Sequence, residues 1–324
     1  MSHETPLSEV VTIVVAPREK FSVLPKCITS LFSTVPKDIR IILCMPQLPQ
    51  DIYLQLQRLI SSRGYTELFE LEADIIPHNA RIIGAAKAMT PWIVFTDNDI
   101  IFEKDWLEKL AEPMFSHAAD VVAPLIFIGP PAGVTIHHAG GILKLSEMPN
   151  GYVNVSEIHR LMNKNYDDPD VRSALISNDY SFCDVAEFHC LAMRSELLQG
   201  QLRLTKDLIT REQQDLALQC RKAGLKIKFV PDSKVTYMAR SKFTQDDLRY
   251  HALRWSEQRA NHSLDLMESK WGMYFNRRRV LSSWIEYHRR RPFWEREPAI
   301  IRLLFRKFKR FSGFYLRFRY GYEV

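Results

Sequence analysis

The stretch Trp92–Asp99, WIVFTDND, is a run of large apolar and β-branched residues that stops at a pair of carboxylates. An apolar run this short and this continuous reads as a strand buried on both faces, as in parallel sheets. Runs of the same kind occur at Val10–Ala16 (VVTIVVA), Ile39–Met45 (IRIILCM) and Ala119–Ile128 (ADVVAPLIFI), with a weaker one at Leu68–Leu71. Helix-like segments lie between them at Leu24–Phe32, Ile52–Ile60, Ala80–Met89 and Asp105–Phe115. This alternation predicts right-handed βαβ crossovers and a mostly parallel sheet covered by helices. Beyond Gly129 the pattern loosens into loops and hairpins through GPPAG, HHAGGI and the polar Asn163–Asn178 stretch. Order returns with a strand over Asp184–Met193, a helix over Arg211–Ala223 and a strand over Lys226–Val230. From Thr244 the chain reads as helical almost to its end.

In an open α/β sheet, ligands bind outside the carboxyl ends of the strands. Asp97 and Asp99 stand at such an end, two residues apart, where both can serve a divalent cation that also takes diphosphate oxygens. The same spacing at Asp168-Pro169-Asp170 falls in a polar loop and reads as a solvated turn.

Around these residues the sequence resembles a family. Asn79–Asp99, NARIIGAAKAMTPWIVFTDND, is similar to the core of family 2 glycosyltransferases of the GT-A fold. Their pattern is an Ala-Arg-Asn-x-Gly helix start followed by a strand ending in Asp-x-Asp. Arg81 and Gly84 match, and Ile82 replaces the family's asparagine. A second match is Thr210–Leu216, TREQQDL, continued by RKAGLKIKFVPDSKVTY, which resembles the family's acidic helix start and the strand after it. The likeness spans roughly Val11 to Tyr237. Three positions depart from the pattern. No acid follows the second strand near Cys44-Met45-Pro46, Gln213 stands where the family has its second acid, and Tyr237 stands where a histidine often helps the metal.

The resemblance implies a GT-A (Rossmann-like) mixed sheet flanked by helices. It also implies metal-assisted transfer of a sugar from a nucleoside-diphosphate sugar to an acceptor hydroxyl, with inversion. Asp99, with Asp97, would hold Mn²⁺ or Mg²⁺. Asp97 would also contact ribose or donor sugar, and Arg81 the diphosphate, a fit of guanidinium to phosphate oxygens. Thr210 and Gln213 have capping-box spacing, which puts Glu212 in the first turn of a helix. There its carboxylate is favoured by the helix dipole and can take the acceptor's proton. Asp215, one turn deeper, is the second catalytic candidate, or else holds loops or acceptor. Strand alternation places Glu187 and His189 on one face, as contacts to sugar hydroxyls or as a buried satisfied pair. His137-His138 has no carboxylate or third ligand nearby in sequence and is not taken as a zinc site.

The 324 residues carry 44 Lys/Arg against 38 Asp/Glu, and a hydrophobic fraction of 46% excludes a disordered or low-complexity chain. Five scattered cysteines form neither a disulfide framework nor a C-x-x-C zinc pattern. The opening MSHETPLSEVV has no leader pattern, and no apolar run approaches the ~18 residues of a membrane span, so a cytoplasmic setting is expected. Charge is uneven: Arg277–Val324 holds 14 Lys/Arg against 4 Asp/Glu, leaving 30 against 34 elsewhere. Ile301, Leu304, Phe305, Phe308 and Phe311 share one helical face, opposite Arg302, Arg306, Lys309 and Arg310; Phe314, Tyr315 and Phe318 prolong the stripe. Such a basic amphipathic tail fits an anionic membrane surface, making the protein peripheral, or packs on a partner or the body. The expected organisation is a GT-A unit over 1–243 and a helical basic extension over 244–324, acting on a glycan or lipid-linked acceptor. A catalytically silent GT-A module serving as partner or scaffold is the alternative. A nucleic-acid binder is disfavoured by the acidic body.

Overall fold

The computed structural model describes residues 5–294, apart from 117, 131, 150 and 240–242, together with 300–301. In the first half the apolar runs become strands and the amphipathic ones helices. A short α1 (Leu7–Val10) leads into β1 (Val11–Ala16), then α2 (Leu24–Thr34), β2 (Arg40–Pro46), α3 (Gln50–Ser61), β3 (Thr66–Leu71), α4 (Pro77–Ala85) and β4 (Trp92–Asp97). Next come β5 (Ile100–Phe102), α5 (Trp106–Phe115), β6 (Val121–Ile128) and β7 (Ile136–His138). A separate hairpin of β8 (Gly141–Glu147) and β9 (Val153–His159) precedes α6 (Pro169–Leu175) and β10 (Phe182–Cys183). β11 (Cys190–Arg194), α7 (Glu212–Ala223) and β12 (Ile227–Tyr237) complete the body.

The main sheet runs β3-β2-β1-β4-β11-β6-β12-β10. β1, β2, β3 and β4 are mutually parallel, β12 is parallel to β6, and β11 is antiparallel to both β4 and β6. The result is a mixed α/β sheet rather than an all-parallel one. All six residues of β1 are buried. Val11, Ile13 and Val15 pack in the layer holding Leu24, Ile28 and Leu31 of α2, while Val14 and Ala16 face Ala80 of α4. Burial on both faces is the physical reason this strand shows no polar alternation. Asp168 caps α6 by accepting from the Asp170 backbone N–H at 2.9 Å, so the second Asp-x-Asp is a helix start.

Helix α4 rides close on the sheet at Gly84. A Cβ there would collide with Val14 Cγ1 and lie 3.1 Å from Cys44 Sγ. Gly84→Ala is therefore expected to cost about 1–3 kcal/mol by overpacking. A lower urea midpoint at unchanged slope would report that cost. An unshifted midpoint would mean that α4 retreats freely.

After β12 come α8 (Gln245–Arg254), α9 (Glu257–Trp271) and a helical run over Arg277–Trp294 with a π-helical stretch at Val280–Ile285. Thr244 and Asp247 form a capping box that starts α8. Asp247 also accepts from Ser22 N and Oγ at 3.0 and 2.6 Å, tying α8 to the loop after β1. Among the described residues no helix is long and apolar enough to cross a membrane. The basic aromatic stripe read from Ile301 to Phe318 lies, beyond Ile301, outside the described residues.

Candidate active site

β1 and β4 are neighbours in register, with Ala16 opposite Asp97, and their carboxyl ends form the crevice. The Asp97 side chain is fully buried. Its Oδ1 accepts from Arg81 Nη2 at 2.6 Å, and its Oδ2 lies 3.2 Å from Arg18 Nη1 and 3.0 Å from His189 Nδ1. Burial opposes ionisation of Asp97, but Arg81, Arg18 and His189 outweigh it and hold the carboxyl well below its ordinary range. Asp99 is the opposite case. Both its oxygens are buried without a hydrogen-bond partner, and burial followed by repulsion from Asp97 pushes its carboxyl up to about 7. A buried carboxylate with both oxygens orphaned fits a cation ligand, and Asp97, Asp99 and His189 bring three ligand atoms within 4.8 Å of one another.

Arg81 is wholly buried and stacks over the Phe188 ring at 4.6 Å. Its Nη1 faces Glu212 Oε1 at 3.9 Å, so one guanidinium bridges the Asp-x-Asp loop and the start of α7. Arg254 Nη2 faces the same Glu212 oxygen at 3.8 Å. Glu212 does stand in the first turn, but no capping box makes it so. The N-cap is Arg211 at φ 72°, with no side-chain cap bond, and its guanidinium lies over the Trp284 and Phe275 rings. That left-handed turn carries Thr210 out of the capping position the spacing suggested. Asp215 takes four donors: Lys270 Nζ and Trp271 Nε1 on Oδ1, Thr205 Oγ1 and Gln219 Nε2 on Oδ2. With every lone pair engaged, it ties α9 to α7, the holding role that the sequence left open for it.

Glu187 and His189 share one side, with Oε2 and Nε2 3.8 Å apart, though not through strand alternation. The expected strand over Asp184–Met193 begins only at Cys190, and Glu187–Cys190 is a turn closed by Cys190 N–H to Glu187 C=O at 3.2 Å. Burial, then Arg18, pushes His189 down to about 4, leaving a neutral imidazole. Burial would raise Glu187, yet His137 and the neighbouring imidazoles hold it well below the usual range.

Sequence reasoning passed over Arg18, His159, Arg254 and Trp284, and it set His137 aside for want of a nearby carboxylate, which Glu187 supplies at 3.2 Å. Arg18 could have been found by placing the end of β1 beside the end of β4. The others arrive from elements whose contacts leave no local pattern. Arg254 and Trp255 reach the site through Glu19, which accepts from Arg254 Nε at 3.3 Å and Trp255 Nε1 at 2.9 Å. The space left is about 60 Å³, lined by Arg18, Glu187, His189, Glu212, Arg254 and Trp284 among others. A cavity of about 480 Å³ lies at the ends of β2 and β3, lined by Phe21, Gln47, Leu48, Asp74, Arg249 and Tyr250 among others. A cavity of about 970 Å³ runs between β3, α4 and α9, and none of the site carboxylates lines it.

Comparison with known proteins bears on the family and the fold. The model of "Glycosyl transferase family 2" matches residues 12–175, just over half the chain. The match includes Arg81, Asp97 and Asp99 and ends before Glu187 and Glu212. The crystal structure of GalNAc-T7 with UDP, GalNAc and Mn²⁺ aligns at TM-score 0.53 and 17% identity, covering 86% of this chain and 54% of that one. The chain thus spans about half the length of that relative. The structure of S. aureus TarS 1-349 in complex with UDP-GlcNAc aligns at TM-score 0.50 and 14% identity, covering 88% and 80%. At such identities these likenesses carry the fold, which is GT-A. Curated proteins give no match. With Arg81 bonded to Asp97 at the carboxyl ends of β1 and β4, and the family model matching just over half of its residues, the chain belongs to glycosyl transferase family 2.

Proposed function

We propose that the protein transfers a sugar from a nucleoside-diphosphate sugar to an acceptor hydroxyl, with inversion and metal assistance. The observation that carries this is Asp99, whose two buried oxygens have no hydrogen-bond partner and stand beside the clamped Asp97. Asp99, with Asp97, would hold Mn²⁺ or Mg²⁺, and that cation, when bound, would neutralise charge on the departing diphosphate. Arg18 and Arg81 add fixed positive charge on the same side. Glu212, reached across Arg81, accepts the acceptor's proton, as a single displacement requires a base on the face away from the leaving group. Glu187 and His189 line the side where a hydroxyl enters, and Asp215 positions α9. The cavity at the ends of β2 and β3 suits the nucleoside. Residues 1–243 would form the catalytic unit, with 244–324 as its C-terminal extension. The glycan or lipid-linked acceptor, a membrane contact through the tail and a cytoplasmic location remain readings of the sequence.

About 60 Å³ is too small for a sugar diphosphate, since pockets for small ligands run to roughly 300 Å³ or more. Donor binding therefore entails movement of the segment carrying Arg254, Trp255 and Trp284. A screen of UDP-, GDP- and dTDP-sugars with and without Mn²⁺, read by thermal unfolding and tryptophan fluorescence, tests the proposal. One donor should stabilise the protein only with the metal, by about 2.7 kcal/mol at a hundred times its Kd. Gln213, neutral where the family has an acid, favours the scaffold alternative. No response from any donor, and no turnover, would favour that reading.

A further inference from the structure

Four histidines gather around Glu187. His137 Nε2 lies 3.2 Å from Glu187 Oε2, and His189 Nε2 lies 3.8 Å from the same oxygen. His159 Nδ1 lies 3.7 Å from the other oxygen, Oε1, and faces His138 Nδ1 at 3.2 Å. Glu187 is 9% exposed, and its Oε2 makes no hydrogen bond although two imidazole nitrogens stand beside it. The three ligand atoms of His137, Glu187 and His189 all lie within 4.8 Å of one another.

We propose that His137, Glu187 and His189 form a second cation site, distinct from the Asp97–Asp99 site and selective for zinc-class transition ions. A tetrahedral ion with bonds near 2.0–2.1 Å sets its ligands about 3.4 Å apart, close to the separations seen. Two imidazoles and one carboxylate suit Zn²⁺ and its neighbours, whereas the carboxylate pair Asp97 and Asp99 suits Mg²⁺ or Mn²⁺. His189 is oriented for the task. Its Nδ1 lies 3.0 Å from Asp97 Oδ2, which places Nε2 on the Glu187 side, the disposition of carboxylate–histidine–metal sites. An irregularity in the β6–β7 pairing at His137 lets the adjacent His137 and His138 serve the two sides of Glu187. Ring packing of His137 and His189 on Tyr237, at 5.4 and 4.1 Å between centroids, fixes both imidazoles. A fourth position would face the 60 Å³ cavity, which Glu187 and His189 line. It would take water or, on the transferase reading, an acceptor oxygen.

The test uses the full chain, stripped with chelator and equilibrated with Zn²⁺ or Co²⁺ alone, with bound metal and the visible Co²⁺ spectrum measured. Asp99→Asn should retain one tightly bound ion, its spectrum that of a low-coordinate nitrogen-ligated site. His137→Ala and the milder His137→Gln, checked for folding by circular dichroism, should weaken that ion at least 100-fold. His138→Ala should leave it within a few-fold. These readouts need no donor, acceptor or turnover, so they stand or fall apart from the transferase reading. Zn²⁺ bound no better than Mg²⁺ by Asp99→Asn would overturn the proposal. So would wild-type affinity in both His137 variants, or an ion lost with His138 and kept without His137.

Discussion

Asp99→Asn is expected to abolish both transfer and the metal-dependent part of donor binding, with activity falling at least ~10³-fold, since a Lewis-acid cation supplies several kcal/mol at the transition state. The same variant should be more heat-stable than the parent in metal-free buffer. Burial and the neighbouring Asp97 hold the Asp99 carboxyl at about 7 in the folded chain, against roughly 3.9 in an unfolded one. The folded state therefore binds the extra proton between those values, and stability present at low pH is lost as pH rises through about 7. Asparagine has no charge to bury, so its advantage should be clear at pH 8 and fade towards pH 5. Saturating Mn²⁺ should reverse the order by stabilising the parent alone. Equal Mn²⁺-induced shifts in both proteins would place the cation away from Asp99.

What the sequence made legible is what local periodicity controls. VVTIVVA, IRIILCM and WIVFT become β1, β2 and β4 within a residue or two, because strands buried on both faces cannot hide their composition. Asp97, Asp99 and Glu212 were legible because they stand at or beside the ends of strands and helices, which meet at one edge of the sheet, whereas Arg81, in the middle of α4, was legible only through the resemblance. The failures have local causes. Glu187–Cys190 forms a turn inside what composition reads as a strand, and Arg211 takes a left-handed conformation where capping chemistry pointed to Thr210. The histidine cluster was hidden by distance along the chain: His137 finds its carboxylate 50 residues later, once β7 and the turn before β11 are side by side. The lining of the crevice by Arg254 and Trp284 depends on where α8 and the π-helical stretch dock, which helical spacing does not encode.

Glu212→Gln should leave donor binding and its metal response intact while lowering the transfer rate by roughly 10²–10⁴-fold, the usual worth of a general base. The geometry favours this separation. Glu212 faces Arg81 and Arg254 at 3.9 and 3.8 Å, beyond hydrogen-bond reach, whereas Arg81 is bonded to Asp97 at 2.6 Å. Removing the charge at Glu212 therefore leaves the Arg81–Asp97 clamp, and with it the donor side, in place. Gln213 lines the same small cavity, at the position where the family carries its acid. Adding Gln213→Asp to Glu212→Gln should restore part of the rate if what was lost is a proton acceptor. A folded Glu212→Gln protein of near-normal rate would instead move the proton to another carboxylate, with Glu187, across the same cavity, the first to test.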